Sequence, residues 1–348
     1  MISTSEDDNL SEILQLNVTM NDLHGKVIDS TKMEAKLVLN GYEQQQSHAR
    51  VISLDSTSVS ETLVFPASMI GQPTFKVLLY TSSLDNILSA VESLIKKPYG
   101  CFEQTSATTY PMVMALKLLG QLKLQYEAVD NQEMVTEIEE MQVEIKDNLK
   151  DGYDKLVGFE TSSKGYEWFG DAPGHEALTS YGIAQFSEMS KLVDFVDKNA
   201  IERNAVWLKS QRKNDGTGQF KINPRALDTF GRASQNVTDV YILWILSALE
   251  GYDQTTMKEE FDNLEKVALH TNDPYLLGLC AGALINLSKL EDAYDIASRI
   301  AALQKSTSGA VEGAETSITS SSGMNLKVET TSLALLAWLD TDPSSFSI

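Results

Sequence analysis

The sequence predicts a mainly α protein, an α/α toroid preceded by a partial antiparallel β domain. Three observations carry this. Residues 1 to about 82 follow the two-residue alternation of strands, and from Ser83 onward apolar positions recur at helical spacing. Strongly apolar helices then alternate with amphipathic ones, as the inner and outer members of helical hairpins would.

In the first segment, Ala35-Lys36-Leu37-Val38-Leu39 alternates ahead of Asn40-Gly41. Arg50-Val51-Ile52-Ser53-Leu54 and Phe75-Lys76-Val77-Leu78-Leu79-Tyr80 are further β-rich runs. About eighty residues of this kind make half a sandwich better than a whole one, because two packed sheets need about seven strands. The expected boundary falls at residue 82, with 83–348 as the helical unit.

In that unit, turn residues at Gly120, Gly152, Gly165, Pro173, Gly216, Pro224, Pro274, Gly309 and Gly323 separate the helical stretches. Five apolar stretches open on small or acidic polar residues of the N-capping type. They are expected to start at Thr105-Ser106-Ala107, Leu178-Thr179-Ser180, Val237-Thr238-Asp239, Asn272-Asp273-Pro274 and Val328-Glu329-Thr330-Thr331. Amphipathic partners are expected at Glu127 to Leu149, Met257 to Leu269 and Leu290 to Leu303. Starts separated by roughly 35 to 75 residues are too uneven for a solenoid of fixed period. Periodicity alone leaves an irregular helical bundle open beside the toroid.

Composition excludes several classes. With 49 acidic against 28 basic residues the net charge is −21, which disfavours nucleic acid and anionic membrane surfaces as partners. No run of about 18 apolar residues occurs, so membrane insertion is not expected. Two cysteines, Cys101 and Cys280, are too few for a disulfide framework, and Cys280 within an apolar helix reads as a buried free thiol. The opening Met1-Ile2-Ser3-Thr4-Ser5-Glu6-Asp7-Asp8 has neither basic nor apolar character, which taken literally places the chain inside the cell. The sequons at Asn17, Asn236 and Asn286 are compatible with secretion.

The segment that carries chemistry is Pro98-Tyr99-Gly100-Cys101-Phe102-Glu103-Gln104-Thr105. A cysteine and a glutamine three apart at the start of a helix are side-chain neighbours. A thiolate attacking the carboxamide carbon would expel ammonia and leave a thioester, an acyl group activated for transfer. A helix N-terminus favours both the thiolate and the tetrahedral oxyanion. Taken by itself, Cys-x-x-Gln equally describes a buried structural cysteine beside a solvent-facing glutamine.

The longer context closely resembles the thioester signature of the α2-macroglobulin and complement family. The resemblance runs from about Leu63 to Leu339. Ser82-Ser83-Leu84-Asp85-Asn86-Ile87-Leu88 is similar to the family's lead-in helix, and Gly165-Tyr166-Glu167-Trp168-Phe169-Gly170 with Pro173 to Gly182 to its second inner-helix region. Asn214-Asp215-Gly216, Gly218-Gln219-Phe220 and Val237 to Tyr241 resemble the loop and helix that bring a relay residue over the thioester. Glu315 to Thr319 and Val328 to Thr331 resemble the last inner helices.

This resemblance implies a thioester-containing toroid with Cys101 and Gln104 as the ring and Glu103 inside the signature. It implies neither cofactor nor metal. Covalent coupling to proteases or cell-surface nucleophiles in an extracellular setting is implied, within a longer macroglobulin chain that supplies the bait region and continues past the cut C-terminus. The role implied is that of a single-turnover trap rather than an enzyme. Two departures matter. Phe102 stands where a glycine is common, and is expected to cover the acyl group. Pro224-Arg225-Ala226-Leu227-Asp228-Thr229-Phe230 lacks the relay histidine of some members, leaving Asp228 nearest that position and implying direct attack by amines.

Among the four histidines, only His175, beside Glu176, falls in a region expected to approach the thioester, as a candidate base. Trp168, Phe169, Tyr99 and Tyr110 form a possible aromatic lid. Two alternatives come from other classes. One is a toroid glycan hydrolase or lyase drawing on Glu176, Asp228 and Asp239; the other is a non-covalent binding module with no thioester.

Overall fold

The computed structural model describes residues 13–36, isolated positions between 52 and 79, and 83–346 apart from 228, 229, 253 and 307. The chain divides into two compact units, Met1–Leu79 and Tyr80–Ile348.

In the first unit, strands β1 (Ile13–Asn21) and β2 (Val27–Lys36) pair antiparallel, with Leu16 opposite Met33 and Val18 opposite Thr31. Asp22 and Gly25 close the turn. One Asp22 carboxylate oxygen accepts the N–H groups of His24 (2.8 Å) and Lys26 (2.9 Å), and Gly25 sits at φ +79°. This hairpin lies upstream of the strand expected at 35–39, only the first two residues of which belong to β2. The run at 50–54 lies outside the described residues except for Ile52. Phe75, Lys76, Val77 and Leu79 are in no strand, because a β-rich run becomes a strand only against a partner, and the described residues pair none with them.

The second unit is an α/α toroid. After α1 (Ser83–Leu94), the inner helices are α2 (Phe102–Ala128), α4 (Glu176–Met189), α6 (Gln235–Ser247), α8 (Pro274–Asn286) and α10 (Gly323–Thr341). The outer helices are α3 (Gln132–Val157), α5 (Lys198–Ser210), α7 (Lys258–His270) and α9 (Leu290–Ala301). Consecutive inner helices pack on one another, α2 on α4, α4 on α6, α6 on α8 and α8 on α10. The outer members lie against them, α3 on α2, α5 on α4, α7 on α6 and α8, and α9 on α8 and α10. The division follows from sequence. In α8, nearly every residue from Pro274 to Leu284 is buried, whereas α9 buries only Ala293, Ile296, Ala297 and Ile300, a single i, i+3, i+4, i+7 stripe.

Four of the five inner helices begin earlier than their polar residues suggest. The actual N-caps are Cys101, His175, Ser234 and Ser322, and only Asp273 stands where a cap was expected. Three residues of the expected cap segments are hooks within the helices, Thr179 and Asp239 buried and Thr331 half-buried. Thr179 Oγ1 accepts Tyr166 N–H (2.8 Å), Asp239 Oδ1 accepts Phe220 N–H (2.9 Å), and Thr331 Oγ1 accepts Val311 N–H (3.0 Å). Each loop residue so held also ends an isolated β-bridge formed just after an outer helix, Glu160 with Tyr166, Arg212 with Phe220 and Gln304 with Val311. The repeat is therefore outer helix, bridge, loop and hooked inner helix. A buried backbone N–H left unpaired costs about 1–3 kcal/mol, so each hook fixes a loop over the N-terminal end of its helix. Glu315 to Thr319, expected to be helical, lie in such a loop ahead of α10, where Tyr275 Oη accepts Ile318 N–H (3.1 Å).

Candidate functional site

The first turn of α2 is built around Gly100, Cys101 and Gln104. Gly100 sits at φ +84°, a conformation that suits glycine, and turns the chain into the helix. Cys101 is the N-cap, with extended backbone (φ −76°, ψ −177°), and Gln104 is the third helical residue. The Gln104 carbonyl oxygen Oε1 accepts the Cys101 backbone N–H at 3.3 Å. This is one half of a capping box whose other half sets the Cys101 thiol over the N–H of Gln104. Sulfur is a weak acceptor, so the thiol makes no conventional cap hydrogen bond. Cys101 is half-buried against the core and Gln104 is exposed, which leaves the carboxamide open to an incoming nucleophile.

Three contacts hold this turn from outside. Thr105 Oγ1 donates to Tyr99 O (3.0 Å), closing the Pro-Tyr-Gly turn from below. Trp168 O accepts the Phe102 N–H (3.0 Å), and the Trp168 indole N–H donates to Glu103 Oε2 (2.8 Å). Phe102 is not a cover over the pair. It is wholly buried, stacked on Tyr166 (centroids 4.8 Å apart) and edge-on to Phe159 (6.3 Å). A large aromatic ring gains more from that core slot than from solvent, and the bare Gly182 opens the slot in α4.

The aromatic residues separate into two roles. Tyr99 and Phe169 are exposed near the turn, at 65% and 58%. Trp168 is wholly buried, and Tyr110 packs on Tyr181 (5.6 Å), where burial raises its phenol to about 12. Tyr181 in turn stacks on Phe230 (5.7 Å), the last residue of the stretch that carries Asp228. Asp228 itself lies outside the described residues.

His175 is the N-cap of α4 and is buried, with Gly231 close against its imidazole. Its Nδ1 accepts a long bond from Leu178 N–H (3.5 Å), its ring meets the Trp168 indole edge-on (4.9 Å), and burial pushes it down to about 4. It is therefore uncharged at neutral pH, and its ring contacts Trp168, whose carbonyl and indole N–H reach the Cys101–Gln104 turn. Glu176 Oε2 accepts Asn223 N–H (2.9 Å), and Asp239 Oδ1 accepts both Phe220 N–H and Gln235 Nε2–H (2.8 Å). Both carboxylates are buried, and burial raises both, Asp239 to about 6. Cys280 is fully buried, with its thiol pushed up to about 12 by desolvation. Both cysteines are free. Among the described residues no cluster of histidine, cysteine and acidic side chains has the makings of a metal site, and no helix is long and apolar enough to cross a membrane.

Two contributors were not legible in sequence. Gly182 lies within the stretch expected to be an inner helix, where a glycine signals close approach of a neighbour. Arg225, whose Nη2 lies 3.1 Å from the buried Glu167 Oε1, joins the stretch at 223–227 to the segment carrying Trp168.

Residues 76–347 match the family model described as the A-macroglobulin TED domain. Ovostatin of Gallus gallus is 22% identical over 195 residues, covering 54% of this chain and 12% of ovostatin. The chain thus spans a small part of the length of that relative.

Proposed function

The chain belongs to the A-macroglobulin TED domain family, and from that premise we propose that Cys101 and Gln104 join as an internal thioester whose acyl group passes to amines. The observation that carries this reading is the Cys101 N–H resting on Gln104 Oε1 at 3.3 Å. In ring formation the Cys101 thiolate attacks Cδ of Gln104, the C–N bond breaks, ammonia leaves with a proton from the medium, and a C–S bond remains. In transfer an amine nitrogen attacks the same carbon, the C–S bond breaks, and the proton released by the amine is taken up by the departing thiolate. Negative charge develops on the former Oε1 in both steps. The Cys101 N–H is already directed at that oxygen, and a contact that tightens as charge develops favours the transition state over the ground state.

The nucleophile is an amine attacking directly, because Pro224 to Phe230 contains no histidine to relay the acyl group to hydroxyls. Lysine side chains on a protease or on a nearby surface are the targets of this reading, in an extracellular setting. The acyl group is consumed once, so the molecule acts as a covalent trap of the protease-inhibitor kind. Residues 83–348 form the thioester-bearing unit, with 1–82 contributed to a β domain. A glycan-cleaving toroid is disfavoured because Glu176 and Asp239 are buried away from any sugar and occupied in loop anchoring.

Intact mass tests the proposal. Fresh protein is expected to weigh one ammonia less than its sequence, methylamine to add and release one thiol at Cys101, and Cys101→Ala to retain the ammonia. Fresh protein at full sequence mass, with Cys101 alkylated at once, sinks the reading.

A further inference from the structure

We infer that Trp168 is the positioning residue of the Cys101–Gln104 pair and acts through Glu103, an inference that rests on the acyl-transfer reading above. The first turn of a helix carries N–H groups with no intrahelical partner, and a good N-cap side chain satisfies one of them. Cysteine is a poor cap, and a thiol committed to a ring cannot serve as one. The structure satisfies another of these N–H groups, that of Phe102, from outside the helix. Trp168 is wholly buried, yet both of its polar handles reach this one turn, the carbonyl to Phe102 N–H (3.0 Å) and the indole N–H to Glu103 Oε2 (2.8 Å). Phe102 and Glu103 are the two residues between the ring partners, so fixing them fixes the thiol relative to the carboxamide.

The clamp is itself anchored. The buried Glu167 carboxylate accepts Phe169 N–H (2.8 Å) and Asp171 N–H (3.3 Å) and pairs with Arg225, while the His175 ring packs edge-on against the indole. A buried indole needs only some acceptor for its N–H. Here the acceptor is the one charged side chain inside the ring segment. A carboxylate in the first turn also suits the positive end of the helix dipole. Glu103 on this account is held rather than reactive. Its work is to accept a hydrogen bond, which a neutral amide oxygen does as well, and no proton passes through it.

That distinction sets the experiment, made on the 348-residue chain with methylamine as the probe. Trp168→Phe keeps the ring and removes the N–H; Glu103→Ala removes the acceptor; Glu103→Gln keeps an acceptor and removes the charge. The fraction of fresh protein lacking one ammonia and the methylamine rate per intact thioester are the readouts. Trp168→Phe and Glu103→Ala are expected to lower the rate by roughly tenfold to a hundredfold, the range for small misplacements of reacting groups. The double variant is expected to fall no further, and Glu103→Gln to restore most of the wild-type rate. Glu103 is half-exposed, so its two variants decide the matter even where Trp168→Phe fails to fold. Glu103→Gln as slow as Glu103→Ala overturns the positioning role in favour of the charge. Wild-type rates in all three overturn it outright while leaving the thioester reading intact, whereas a wild type that never loses ammonia overturns that reading first.

Discussion

A methyl group on Gly100 would stand 2.0 Å from Oε1 of Gln104 and 2.7 Å from its Cβ. The glycine and the glutamine share one space, and the amide folds back over the turn only because position 100 is bare. A flexible amide tip can swing aside, but the Gln104 Cβ is fixed by the helix. Gly100→Ala is therefore expected to abolish ammonia loss and leave Cys101 open to alkylation. The positive φ adds about 1–2 kcal/mol of destabilisation. Intact mass and a denaturant midpoint measure the two effects separately.

Phe102 and Gly182 make a second such pair. A Cβ on Gly182 would lie 2.8 Å from Phe102 Cζ and 3.0 Å from Tyr166 Cδ2, both parts of buried rings. Gly182→Ala is expected to cost about 1–3 kcal/mol as overpacking. Adding Phe102→Leu to it is expected to recover part of that loss in thermal unfolding. A Phe102 acting as a solvent-side cover would give no such recovery.

Thiol counting separates the two cysteines. Cys280 is fully buried with a raised thiol, so in native protein it should resist iodoacetamide. Under the thioester reading, native protein is expected to label at neither cysteine before methylamine, at Cys101 alone afterwards, and at both after unfolding. Peptide mapping locates each label.

The helical class was legible because burial leaves a period in the sequence, and the Cys101–Gln104 pair because its partners are local. What escaped had other causes. The helices begin ahead of Thr179, Thr238 and Thr330; a buried hydroxyl inside a helix resembles a cap in sequence, and only the fold distinguishes the two. Helix α5 leaves a weak period because its buried stripe of Ala200, Ile201, Asn204, Ala205 and Leu208 is interrupted by an asparagine, whose Oδ1 accepts Gly165 N–H (2.9 Å). The β1–β2 hairpin lies ahead of the expected strands, and its sequence mark is the turn chemistry of Asp22 and Gly25. The contact between Trp168 and Glu103 joins segments that no local pattern connects.

Two buried groups on the inner helices, Asp239 within α6 and His175 at the N-cap of α4, titrate in opposite senses. Asp239 is raised to about 6 by burial, so in the native state it holds a proton that the unfolded chain has already lost. Its contribution is present below the unfolded value and is lost as pH rises through about 6. His175 is pushed down to about 4, so its contribution is present above the unfolded value near 6.5 and is lost as pH falls toward about 4. Over the window between, the two slopes oppose one another, each amounting to about 3 kcal/mol at 1.36 kcal/mol per unit. Asp239→Asn keeps the acceptor for Phe220 N–H and removes the first slope, so relative to wild type its stability should rise more steeply from pH 4 to 6. His175→Gln removes the second, so relative to wild type its stability should fall as pH rises over the same range. Urea midpoints at half-unit steps of pH measure both differences. Parallel curves for wild type and either variant would show that the group concerned titrates alike in the folded and unfolded chain, and so that its burial does not control its charge.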